Sequence, residues 1–159
     1  MEYNEIIEFR NAVLDEVALV AEANNDFKYT SFVHVFTEYL SDAGFISDFT
    51  YAHYQRPFKP GRRNARVDGY SENIFEETVN LVIADFYDQP DPITLTKTDA
   101  MQSFRECMAF VEESFKGTLK VEIDKSDPAY YLYLLLQQGH AKEKIRKVKV
   151  FLISDKTRS

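Results

Sequence analysis

Cysteine occurs once in this chain, at Cys107, so no disulfide can close within it and no cysteine-based zinc site can form. Glycine is also scarce, with 5 scattered residues, which excludes the phosphate-cradling loops that need several glycines at fixed spacing. The 5 prolines leave room for long elements and few loops. Tryptophan is absent, so aromatic packing falls to 13 Phe and 10 Tyr. The three histidines, His34, His53 and His140, have no metal-ligand spacing such as HExxH. No apolar run approaches the ~20 residues needed to cross a bilayer, so no membrane is expected. The acidic start, Met1-Glu2-Tyr3-Asn4-Glu5, lacks the pattern of a secretion signal, and a cytoplasmic location is the default expectation. Positive charge is in deficit: 19 Lys and Arg against 26 Asp and Glu give a net charge of −7. That counts against a surface coated for nucleic acid, though a local basic patch remains allowed.

What is present reads as globular. Hydrophobic residues make up 45% and charged residues 28% of 159 residues, the length of one ordinary domain, so residues 1–159 are taken as a single unit. Ile6, Phe9, Val13, Val17 and Val20 recur at helical spacing up to a break at Asn24-Asn25-Asp26. A second helix carries Phe32, Val33, Phe36, Tyr39 and Leu40 and ends at Gly44. Ile46 to Tyr54 reads as a strand, and Arg56 to Asn64 as a loop, since it holds two prolines and a glycine. Ala65 to Tyr70 is a short strand. Thr78 to Phe86 is nearly continuous in apolar residues, as in a strand covered on both faces. Thr98 is placed to cap a helix that bears Cys107 on its apolar stripe and ends at Gly117. Asp127-Pro128 opens a short helix running to Gly139, and Lys147 to Leu152 alternates as a final strand. Cys107 and His34 are both read as packed residues. The order predicts a mixed α+β domain with a central sheet of about four strands flanked by helices. Its core runs α-β-β-β-α-β, with an extra N-terminal helix and an inserted short one.

Arg66-Val67-Asp68-Gly69-Tyr70, followed by Leu81-Val82-Ile83-Ala84-Asp85-Phe86, resembles the paired strands of AIPR (abortive infection phage resistance) proteins. Tyr39 to Gly44 and Ile145 to Ser154 carry the same likeness, which runs from about Phe32 to Ser154. The resemblance implies a restriction-endonuclease-like (PD-(D/E)xK) core and a role in phage defence. It also implies that this chain is the N-terminal part of a longer protein, whose remainder is one expected partner. Nucleic acid is another, and a homo-oligomer is admitted.

For the site, the resemblance implies Asp68 and Asp85 as the catalytic acids, holding Mg2+ or Mn2+ for phosphodiester cleavage, with Glu38 as a further carboxylate. No organic cofactor is expected. A divalent ion polarises a phosphate and acidifies a bound water, and Mg2+ can be held by one or two carboxylates. If the hairpin turn is centred between Glu76 and Glu77, Asp68 stands directly opposite Asp85, with Cβ atoms about 5 Å apart. The lysine expected two residues after the second acid is Tyr87, which cannot supply an ammonium charge. A catalytically inactive module for nucleic-acid binding or protein assembly is therefore the alternative. Arg56, Lys59, Arg62, Arg63 and Arg66 lead into Asp68 and are the candidate phosphate contacts. Plainer readings stand beside these: Asp68 as a turn aspartate, Asp85 as a strand end, Glu38 as a solvated helix residue, and the basic loop as a solvated tip.

Overall fold

The computed structural model describes residues 2–158. Its elements are α1 (Tyr3–Asn24), α2 (Lys28–Asp42), β1 (Thr50–Gln55), β2 (Arg66–Asn73), β3 (Thr78–Asp85), β4 (Thr94–Leu95), α3 (Lys97–Lys116), α4 (Tyr130–Ala141), β5 (Lys147–Ser154) and β6 (Thr157–Arg158). A 3-10 turn at Thr118–Val121 links α3 to α4. The main sheet has the order β1-β2-β3-β5. The first three strands are antiparallel, and β5 returns parallel to β3 after the α3–α4 crossover. The expected mixed sheet flanked by helices, with an added N-terminal helix, is the observed architecture. The pair formed by β4 and β6 gave no signal in the sequence, being two residues on each side.

Alternation along the strands divides the core into two layers. On one face Val79, Leu81 and Ile83 of β3 pack with Phe110 of α3 and Leu132 and Leu136 of α4. On the other, Val82 and Ala84 meet Val13 and Val17 of α1 and Phe32 and Val33 of α2. The first seven residues of β3 are all buried, as a central strand covered on both sides requires. Fully burying its Val, Leu and Ile side chains stabilises the fold by ~1.5–3 kcal/mol each.

Several boundaries differ from expectation. The α3 cap is Thr96 rather than Thr98, its side chain accepting from the Asp99 amide. Gly117, at φ 78°, does end that helix, and Gly44, at φ 83°, follows α2. Asp127 does not cap α4. Its carboxylate accepts from the Asp124 amide in a preceding turn, and the helix runs past Gly139 to Ala141. Gly139 lies inside α4, at a position where a Cβ would meet the Ile145 side chain at 2.6 Å. Ile46 to Phe49 precede the first strand instead of belonging to it.

The register of the β2–β3 hairpin bears directly on the site. Pairs run from Asn73↔Thr78 to Gly69↔Val82, so the turn is centred between Phe75 and Glu76. That is one residue earlier than expected, and a one-residue shift of the centre slides partners by two. Continued by one step, the ladder would set Asp68 against Ile83, not Asp85. The β1–β2 register also shifts between Tyr51 and Tyr54. Near this irregularity Val67 and Tyr70 pack with the α3–α4 layer, whereas Asp68 and Gly69 between them both meet the α2 side.

Gly69 is therefore a packing glycine within a strand and not part of a turn. A Cβ there would lie 2.2 Å from the Phe49 ring and 2.7 Å from the Thr50 carbonyl oxygen. Because backbone as well as side chain must move, Gly69→Ala is expected to destabilise by about 1–3 kcal/mol. Urea denaturation checks this, and an unchanged midpoint would mean that the approach is not a real constraint.

Candidate functional site

Asp68 has no exposed surface. A carboxylate withdrawn from water needs its lone pairs satisfied, and four donors converge on this one. The Tyr29 hydroxyl of α2 donates to Oδ1 at 2.7 Å, and His53 Nδ1 of β1 lies 2.7 Å from the same oxygen. The Ala84 amide of β3 donates to Oδ2 at 2.8 Å, and Arg66 Nη1 stands 3.5 Å from it. Arg66 is itself anchored by the Ala84 carbonyl at 2.7 Å and Glu106 of α3 at 3.4 Å. Burial, then the charge of Asp68 and the hydrogen bond to it, push the Tyr29 hydroxyl well above its ordinary range, so it stays a donor. The β1, β2 and β3 strands and α2 thus meet at a single carboxylate, and α3 is joined to it through Glu106 and Arg66.

Beside this hub lies a polar cleft of about 480 Å3, whose walls include His53, Arg66, Asp85 and Glu106. The His53 side chain is 37% exposed and also lines a second cleft of about 500 Å3 with Tyr54, Arg56 and Lys59. Asp85 is the other expected acid. It does not oppose Asp68, and its carboxylate accepts from Lys156 Nζ at 3.0 Å. Tyr87 stands at the expected lysine position, and its backbone amide donates to Asp155 at 2.7 Å. Lys156 therefore reaches Asp85 from beyond the last long strand.

Glu38 lies exposed on α2 and joins neither acid. Among the described residues no three His, Cys, Asp or Glu side chains are grouped to hold a metal. Asp68, Asp85 and Glu38 do not converge as expected. The four donors already on Asp68 occupy the lone pairs that a cation would need, so these residues do not fit the implied ion as a set.

Most of the basic loop is exposed, yet its arginines are engaged by carboxylates. Arg56 is 4% exposed, held by Glu113 of α3 and by Glu122 at 3.1 Å. Arg62 contacts Glu122, and Arg63 bonds Glu112 at 3.0 Å. With Arg66 on Glu106, four of the five expected phosphate contacts are neutralised by acids from α3 and the turn after it. Lys59 is exposed. Burial, then the Glu122 hydrogen bond, push the Tyr54 hydroxyl up to about 12.

Sequence reasoning missed Tyr29, His53, Glu106 and Lys156. Their roles depend on contacts between distant segments, and no local motif marks them. Cys107 is buried as expected, and desolvation pushes its thiol up to about 12. His34, expected to be packed, is exposed and lies against Tyr51 with ring centroids 5.3 Å apart.

The family model described as abortive infection phage resistance protein N-terminal domain matches residues 32–159. The chain belongs to this family. The matched segment of this AIPR domain begins within α2 and contains the whole sheet and Asp68 with every partner of its carboxylate except Tyr29, which lies just before it. A role in abortive infection, a form of phage defence, follows from the membership. Neither curated proteins nor solved structures gave a match. Among the described residues no helix is long and apolar enough to cross a membrane.

Proposed function

We propose that this AIPR domain is a nuclease-like module, set in a longer phage-defence protein, that has given up metal-dependent cutting through Asp68 and acts by binding. One observation carries the reading: Asp68 is fully buried and accepts from or faces Tyr29, His53, Arg66 and the Ala84 amide. A divalent ion at Asp68 would have to displace donors that hold three strands and α2 together. The element order and the family membership support the restriction-endonuclease-like ancestry on which "nuclease-like" rests.

A second reading has its own observation. Asp85 lines the cleft with an ammonium at 3.0 Å, so an acid and a lysine do meet there, the lysine being Lys156 in place of Tyr87. In that reading Asp85 alone holds Mg2+ or Mn2+, and phosphodiester cleavage survives.

The two are separated by incubating the purified chain with plasmid, single-stranded DNA and RNA in Mg2+, Mn2+ or EDTA, and by melting it in the same buffers. No metal-dependent cleavage and an unchanged melting temperature are expected. Cleavage that needs the ion and disappears in Asp85→Asn and Lys156→Met would establish the second reading.

A further inference from the structure

The cations of this acidic protein are used unevenly. Arg56, Arg62, Arg63 and Arg66 are tied to carboxylates within the fold. Lys142, Lys144, Arg146, Lys147 and Lys149 are all exposed, and among the described residues none of them forms an ion pair. They follow one another along the α4–β5 turn and the first half of β5. That strand is an edge of the sheet, pairing only with β3. Lys147 and Lys149 share one face of it, since Val148 and Val150 between and beyond them pack inward on α3 and α4.

The β2–β3 hairpin tip stands beside this row. The Arg146 and Lys147 amides donate to the Glu77 carbonyl oxygen, which fixes the cationic segment against the tip. At the tip Phe75 is 101% exposed and Ile74 is 74% exposed. Phe75, Arg146, Lys147 and Lys149 line one open depression of about 600 Å3. A wholly solvated phenyl ring beside a row of unpaired ammonium groups has no role in the core. Glu76 and Glu77 also border the depression and oppose anions there, so the attraction has to come from the five cations acting together.

We infer that the β5 edge and the hairpin tip form a binding surface for single-stranded nucleic acid, with Lys147, Lys149 and Arg146 tracking the phosphates and Phe75 stacking on a base. Duplex hides its base faces and leaves Phe75 without a partner, whereas an unpaired strand offers both phosphates and π-faces. This lies at the other end of β3 from the Asp68 cleft and rests on the reading above for the module's binding role. It specifies what the module binds, and metal titration does not bear on it.

Fluorescence anisotropy of the full chain with a labelled oligothymidylate, its duplex counterpart and an oligoglutamate peptide tests the inference. The single strand is expected to bind best, with log K falling against log salt by about 0.7 per phosphate contacted. Lys147→Glu with Lys149→Glu should weaken it at least tenfold, and Phe75→Ala roughly tenfold for the single strand but not for the duplex. Lys125→Glu, in the exposed turn before α4, should leave binding unchanged. Each variant's fold is checked by circular dichroism. Absence of binding at low salt, equal binding of oligoglutamate, or a loss with Lys125→Glu matching that at β5 would overturn it.

Discussion

Asp68→Asn is expected to be among the most damaging single substitutions in the protein, lowering its unfolding free energy by about 3–5 kcal/mol. The change removes one charge and almost no volume, so the cost is electrostatic. Arg66, whose side chain is 14% exposed, loses one of its two counter-charges, while Glu106 at 3.4 Å retains part of the compensation. The Asn amide group also presents N–H where the native oxygens accept from Tyr29, His53 and Ala84, so at least one buried donor loses its acceptor. Tyr29→Phe deletes a single donor and should cost only ~1–2 kcal/mol. A double-mutant cycle between the two should show non-additivity, because they share one hydrogen bond. Urea denaturation with an unchanged slope is the measurement. A loss below 1 kcal/mol for Asp68→Asn, against the ~3–5 expected, would mean that Asp68 is dispensable to the fold and free for a ligand.

The same residue shows how far the sequence could be read. Helix and strand periods located α1, α2, α3 and β5, a nearly unbroken apolar run located β3, and Gly44 and Gly117 marked helix ends through their left-handed backbone. The β2–β3 register was misjudged at Ile74 and Phe75. The expected strand ended at Tyr70, so no pattern fixed the turn between it and Thr78, and centring that turn between Glu76 and Glu77 left Ile74 and Phe75 short of the tip. In the structure both sit at the exposed tip, and the one-residue error displaced Asp85 from Asp68. The arginine loop failed for another reason. Sequence shows its charges but not what folds over them, and the neutralising acids lie up to 66 residues away in the chain. His53 was dismissed for want of metal spacing, yet its partner is an aspartate on the adjacent strand, 15 residues on. Local pattern gives the elements; which side chains meet depends on register and on how one layer settles on the next.

Arg56 carries the second large expectation. Its guanidinium spans Glu113, Glu122 and the Arg63 carbonyl, joining the loop after β1 to α3 and the turn that follows it. Arg56→Met keeps the buried stem but strips the charge, leaving two carboxylates, 14% and 17% exposed, with only Arg62 and Arg63 nearby. Those neighbours and the partial exposure place the loss near the low end of the range for a broken buried pair, about 3 kcal/mol. Arg56→Lys should recover only part of it, since one ammonium cannot reproduce a planar fork reaching three acceptors. Acid gives an independent check. Burial raises the Glu122 carboxyl, but hydrogen bonds from Arg56 and Tyr54 outweigh it and hold the group below its ordinary 4.5. A carboxyl depressed in the folded state adds stability above its unfolded value, and that stability is lost as pH falls through the folded one. The gap between wild type and Arg56→Met should therefore be widest at neutral pH and close as the solution is taken well below 4.5. Chemical denaturation across that range decides it: a gap that stays constant into acid would assign the loss to packing and leave the ion pairs without a net role.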